Sequence, residues 1–240
     1  MLRVNWVYIK GLFLLGFVSF LFVFSSVRNS HRLLSDIQVN FIGNENLFIT
    51  EDTVNKLLIQ NHQEGSGVTK EILDLNKLEL ALNSNPMIKT AQVYLTINRE
   101  VRADVMQKKP IARVHTNVSY YIDQDGESMP LSNNYTARTP LVTGYIEKND
   151  LSNVYAIASK IYNDEFLKTH IVEIHQNQNQ DIVLMMRVYD FEILIGSIDK
   201  LDKKINNLKA FYQKAKKDKT LEKYSKVNLQ FENQVVCTKK

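Results

Sequence analysis

The sequence predicts an α+β protein: one apolar amino-terminal helix followed by two folded parts. Three observations carry that prediction. Gly11–Val27 runs seventeen residues without a charge. Residues 34–107 read as strand, helix, helix, strand, strand. Beyond Lys108-Lys109-Pro110, short alternating runs outnumber helical ones, which suggests a mainly antiparallel β domain with a few helices.

At about 1.5 Å per residue, Gly11–Val27 would span roughly 25 Å as a helix, a little short of a hydrocarbon core of about 30 Å. Lys10 can extend outward, and Trp6 and Tyr8 suit a membrane interface, so residues 11–27 are expected to be a transmembrane helix behind a tail of residues 1–10. A cleaved signal is the alternative. Its apolar region normally has about 7–15 residues, and Val23-Phe24-Ser25 is a poor cleavage site, so a retained anchor is expected. Arg3 and Lys10 before the segment nearly balance Arg28 and Arg32 after it, which leaves orientation open.

Ile37–Ile42 alternates apolar and polar residues as a half-buried strand does, and Gly43-Asn44 supplies a turn. Thr50 is placed to cap a helix carrying Val54, Leu57 and Leu58, which Glu64-Gly65-Ser66-Gly67 interrupts. Asp74 is placed to cap a second, with Leu75, Leu78 and Leu82 on one face and Asn85-Pro86 ending it. Two strands follow, one with Val93, Leu95 and Ile97 on one face, the other with Val101, Ala103 and Val105. Asn98-Arg99-Glu100 would join them as a hairpin.

Pro110 would disrupt a central strand, so the domain boundary is placed there, with the second domain at residues 108–236. Within it, Tyr120-Tyr121-Ile122 leads into a turn at Asp123-Gln124-Asp125-Gly126. Thr139–Gly144 is extended, and Val154, Ile157, Ala158 and Ile161 mark a helix begun near Asn149-Asp150. Strands are expected at Ile171–His175, Ile182–Tyr189 and Phe191–Ile195. The spacing of Leu201, Ile205, Leu208, Tyr212 and Ala215 predicts an amphipathic helix from Asp199 to about Lys217. Val227, Leu229 and Phe231 open a last strand continuing through Val235-Val236, with residues 237–240 as a tail.

Composition limits the chemistry. The net charge of +4 over 240 residues gives no case for nucleic acid. Cys237 is the single cysteine, which excludes an intrachain disulfide and a cysteine-rich zinc site. No phosphate-binding loop, dinucleotide fingerprint or nucleophile elbow occurs, and no cofactor or small-molecule substrate is indicated. Asp123 and Asp125 have the D-x-D spacing of a phosphotransfer nucleophile and its acid/base partner. Glu127 follows Gly126 where such motifs carry Thr or Val, and no parallel βα alternation surrounds them, so a hairpin turn is the preferred reading. On one strand, His170 and His175 would fall on opposite faces and hold no common metal. Lysines far outnumber acids from Lys200 to Lys226. They could form a patch for an anionic partner, but the solvated face of the amphipathic helix explains them better.

The order of these motifs resembles the bacterial cell-division family FtsQ/DivIB, with the look of a Bacteroidota member. The resemblance rests on Ile37–Asn44, on Asn85-Pro86-Met87-Ile88-Lys89-Thr90-Ala91-Gln92-Val93, and on the junction Val105–Ala112. It continues through Tyr121–Gly126, Thr139–Gly144, Ile193–Gly196 and the closing Val227–Phe231. Gln107 stands where the family has an acidic residue, and Asn228 where it has Asp. The resemblance implies a POTRA domain over residues 34–107, a following β domain, no catalysis, an inner-membrane anchor with the amino terminus in the cytoplasm, and a septal, periplasmic bulk.

It also implies partners. From the residues alone, the closing strand is equally well an open edge or core covered by its own tail. The resemblance implies that it receives a strand of FtsB, in a complex with FtsL. Lys226, Leu229, Phe231, Asn233, Gln234, Val235 and Val236 would then be the partner-binding residues. The rival readings are a POTRA-bearing component of protein transport or outer-membrane assembly, and a tethered phosphatase using Asp123 and Asp125.

Overall fold

The computed structural model describes residues 6–30, 35–43, 46–60, 74–97, 100–147 and 150–240. The expected Glu64–Gly67 interruption, Asn44, Asn98-Arg99 and Asn149 lie outside the described residues. Helix α1 is Trp6–Ser30. Leu12, Phe13, Leu15, Phe17, Phe20 and Phe22 all stand exposed along it. Among the described residues no helix is long and apolar enough to cross a membrane. Within α1 the side chains described are Trp6 and residues 10–25.

The chain falls into two compact units, one of Met1–Gly43 with Thr50–Met106 and the other of Asn44–Ile49 with Gln107–Lys240. In the first, β1 (Ser35–Phe41), α2 (Glu51–Gln60), α3 (Leu75–Asn83), β2 (Ile88–Leu95) and β3 (Glu100–Gln107) follow in order. The sheet order is β1-β3-β2, with β1 and β3 parallel. Both helices begin where a side-chain oxygen satisfies a free amide: Thr50 Oγ1 accepts from Thr53 N at 3.3 Å, and Asp74 Oδ1 from Lys77 N at 3.1 Å. Val54, Leu58, Leu78 and Leu82 are buried with Val101, Ala103 and Val105. Ile97, expected on the inward face with Val93, is instead fully exposed. The strand ends at Leu95 because the chain reverses at Thr96, whose N–H donates to Glu100 O at 3.0 Å while its hydroxyl accepts from Glu100 N at 3.1 Å.

The second unit contains β4 (Pro110–His115), β5 (Ser119–Asp123), β6 (Ser128–Met129), β7 (Leu141–Gly144), α4 (Ser152–Tyr162), α5 (Glu165–His170), β8 (Ile171–Gln176), β9 (Ile182–Met186), β10 (Glu192–Gly196), α6 (Leu201–Lys217), β11 (Tyr224–Asn228) and β12 (Val236–Lys239). They form one sheet in the order β12-β11-β10-β9-β8-β7-β4-β5-β6. Antiparallel pairs outnumber parallel ones, but β4–β7, β7–β8 and β10–β11 are parallel, so the sheet is mixed. The last two of these need helical crossovers, which α4 with α5 and α6 provide. Pro110 opens β4 instead of breaking it, since the first residue of a strand can spare its ladder donor.

One apolar cluster unites the helices with the sheet: Ile157, Ile161, Leu208 and Tyr212 join Ile174, Leu184, Ile193 and Val227. Gly144 has φ +93, and a Cβ there would lie 2.1 Å from Gln176 O, so glycine alone fits where β7 ends beside β8. Gln107 ties Phe48 and Ile49 into this unit. Its Oε1 accepts from both backbone amides, at 2.9 and 3.2 Å, while its Nε2 donates to Ile49 O at 2.9 Å. A carboxylate could accept those two bonds but not donate the third, which gives the glutamine at this junction a physical role.

Candidate functional site

The end of the chain departs from the expected single strand. β11 stops at Asn228, whose side-chain oxygen accepts from Gln230 N at 2.9 Å and bends the chain away. Residues 229–235 form a connecting loop, and β12 returns antiparallel to β11, pairing Asn228 with Val236, Val227 with Cys237 and Lys226 with Thr238. The supposed tail is therefore a strand over Val236–Lys239, and it covers the edge of β11. One edge of the sheet is β12 itself, the other being β6, and the outer side of β12 pairs with no strand among the described residues.

The seven expected contact residues divide accordingly. Lys226 lies in an interior strand between Glu192 and Thr238, with its ammonium 3.5 Å from Glu192. Leu229 is fully buried, and its N–H donates to Leu194 O at 2.9 Å, so its side chain serves the core and offers a partner nothing. Phe231 is 46% exposed and Val236 42%. Asn233 and Gln234 are exposed, and Val235 packs half-buried on the core.

The loop is held to the start of α6. Lys200 pairs with Glu232, which draws that carboxyl below its usual range, and Lys203 donates to Asn233 Oδ1 at 3.1 Å. Burial pushes the Cys237 thiol upward, which disfavours the reactive thiolate. The structure thus gathers Phe231, Asn233, Gln234 and Val236 at one rim of the sheet. It adds Thr238 and Lys239, which alternation alone could not place, because alternation reports burial and not which strand pairs with which.

Asp123 is 1% exposed at the end of β5, flanked by the antiparallel neighbours β4 and β6. Its Oδ1 accepts from Asp125 N and Glu127 N, each at 2.9 Å, and its Oδ2 lies 2.9 Å from Lys108 Nζ. A carboxylate engaged in this way closes a turn and is poorly placed to attack phosphorus. Burial, the largest influence on Lys108, lowers its pKa, but Glu127 and Asp123 outweigh it and hold the ammonium above its ordinary value.

The histidines do not share a strand. His170 ends α5, with Nδ1 2.8 Å from Phe166 O, and stacks on Phe166. His175 Nδ1 lies 2.9 Å from Thr143 Oγ1, which donates to Glu173 Oε1 at 2.7 Å. Since the threonine's one proton goes to Glu173, the imidazole must donate to the hydroxyl and cannot act as its base. No cluster of metal-ligating residues occurs among the described residues.

A family model described as FtsQ/DivIB, C-terminal related, matches residues 109–238, and a POTRA-like domain model matches residues 35–106. No curated protein matches the chain.

Proposed function

Because the chain belongs to the FtsQ/DivIB family of division proteins, we propose that it is a single-pass, non-catalytic division scaffold that binds the FtsB/FtsL pair at the outer edge of β12. The observation that carries this reading is the outer side of β12, unpaired among the described residues and bordered by the exposed Phe231 and Val236. Such an edge presents free N–H and C=O groups at strand spacing. An added strand would gain main-chain hydrogen bonds, and alternate side chains would set selectivity. Lys226 and Leu229 have no direct place in the contact, which shifts instead toward residues 231–239.

Although no described helix is by itself long and apolar enough to cross a membrane, the exposed apolar side chains from Leu12 to Phe24 support an anchor in lipid, because such a stretch is stable only when buried in protein or lipid. The amino terminus would lie in the cytoplasm and the residues beyond α1 in the periplasm at the septum. A transport or outer-membrane assembly role is less well supported, since the chain matches one POTRA-like unit and otherwise the division-family domain.

Co-purification of the full chain with its FtsB homologue tests the docking edge. Phe231→Asp and Val236→Asp should each weaken binding by about 1–2 kcal/mol, the scale of a modest hot spot. Unchanged affinity in folded variants would refute edge docking. A fluorescent fusion that never gathers at midcell would refute the division role.

A further inference from the structure

A second surface in the β-rich unit has the makings of a docking site. A cleft of about 500 Å³ opens beside the start of β4, six places along the sheet from β12. Its walls include Phe48, Tyr135, Tyr162 and Pro140, with Ile111 and Ile161 at the floor, both buried. Phe48 meets the rings of Tyr135 and Tyr121 edge-on, at 5.3 and 6.2 Å, and Tyr121 Oη accepts from Ala137 N at 3.1 Å. Ser132 and Asn134 donate to Phe48 O at 2.6 and 3.2 Å. The wall is therefore braced by hydrogen bonds and ring contacts.

Its charge is one-sided. Arg138, Lys168 and Arg187 line the cleft, all exposed, and no Asp or Glu does. Among the described residues none of the three takes part in an ion pair. Arg187 is fixed by donation from Nε to Thr169 O at 3.3 Å, and Lys168 Nζ lies 5.2 Å from the centre of the Tyr162 ring. Thr139 adds a buried hydroxyl oxygen that finds no hydrogen-bond partner among the described residues.

We infer that this cleft receives a short acidic segment of a partner polypeptide, its carboxylates on Arg138, Lys168 and Arg187 and an apolar side chain among the aromatic walls. The layout favours a peptide over a small metabolite. An apolar centre with an exposed charged rim rich in Tyr and Arg is the anatomy of a protein interface, whereas small-molecule sites converge several buried polar groups.

The test begins by selecting short random peptides on the immobilised full chain. Affinity of the best peptide is then measured by fluorescence anisotropy. Enriched peptides should combine Asp or Glu with an aromatic or aliphatic residue. The double variant Arg138→Gln/Lys168→Gln should bind about tenfold more weakly, and added salt should weaken the wild type. Val236→Asp should bind as wild type does. Near-ultraviolet circular dichroism checks that each variant is folded. Failure to enrich any peptide, enrichment without acidic residues, or unchanged affinity in the folded double variant would overturn the inference. Displacement of the peptide by inorganic phosphate would recast the cleft as a simple anion site. Loss of binding in Val236→Asp would place the peptide at the β12 edge instead, so the two docking surfaces fail independently.

Discussion

Asp123 offers the sharpest measurement of what holds the β-rich unit together. It is 1% exposed, accepts two backbone amides and faces the Lys108 ammonium, whose side chain is 12% exposed. Replacement by alanine strands Lys108 with only the exposed Glu127 and leaves the amides of Asp125 and Glu127 without their acceptor. Breaking one side of a buried pair costs about 3–5 kcal/mol, and Asp123→Ala should fall in that range. Asp123→Asn keeps an acceptor for both amides and loses only the charge, so it should cost about half as much.

Urea unfolding followed by tyrosine near-ultraviolet circular dichroism reads this unit, because the single tryptophan, Trp6, lies in α1. A double-mutant cycle with Lys108→Met should return a coupling of at least about 1 kcal/mol. The raised pKa of Lys108 fixes the sign of the pH effect. The stabilisation is complete below the unfolded lysine pKa of 10.5 and is lost as pH rises through the higher folded value. An Asp123→Ala variant within about 0.5 kcal/mol of wild type would refute the account of the turn. Phosphoester hydrolysis that vanished in Asp123→Asn would restore the enzymatic alternative.

Two further outcomes follow from the same structure. Leu229→Ala should cost about 2–5 kcal/mol in urea unfolding, as for a fully buried leucine, while Phe231→Ala should stay within about 0.5 kcal/mol, since the side chain is half exposed. Asp164 caps α5 by accepting from Leu167 N at 3.2 Å and pairs with Lys209 of α6. Burial, the largest influence, raises its pKa, but Lys209 and the Leu167 amide outweigh it and hold the carboxyl below its ordinary value. Its contribution is therefore present above the unfolded pKa of 3.8 and lost as pH falls through the lower folded value. Asp164→Ala should remove about 1 kcal/mol at neutral pH and flatten the acid limb of the unfolding profile.

Much of the fold was legible because it is written in local chemistry. Thr50 and Asp74 cap the helices they were expected to cap, and the spacing from Leu201 to Ala215 marks α6 within two residues of its start. Helix α5 escaped notice, being six residues long and too short for a helical period to register. The terminal strand misled for a different reason. Val227, Leu229 and Phe231 alternate as a strand does, yet Leu229 is buried in a loop and Phe231 faces outward.

Local chemistry was enough to mark which segments bury an apolar face, where α2, α3 and α6 begin and that Asp123 sits in a turn, because each depends on neighbours a few residues apart. Long-range pairing set the rest: β10 and β11 run parallel, β12 folds back to cover β11, and one sheet edge lies at residues 236–239. Those depend on pairings between distant segments, for which alternation carries no register. The cleft near β4 belongs to the same class. Its three cations come from residues 138, 168 and 187, and only the close approach of a loop, a short helix and a strand end brings them to one rim.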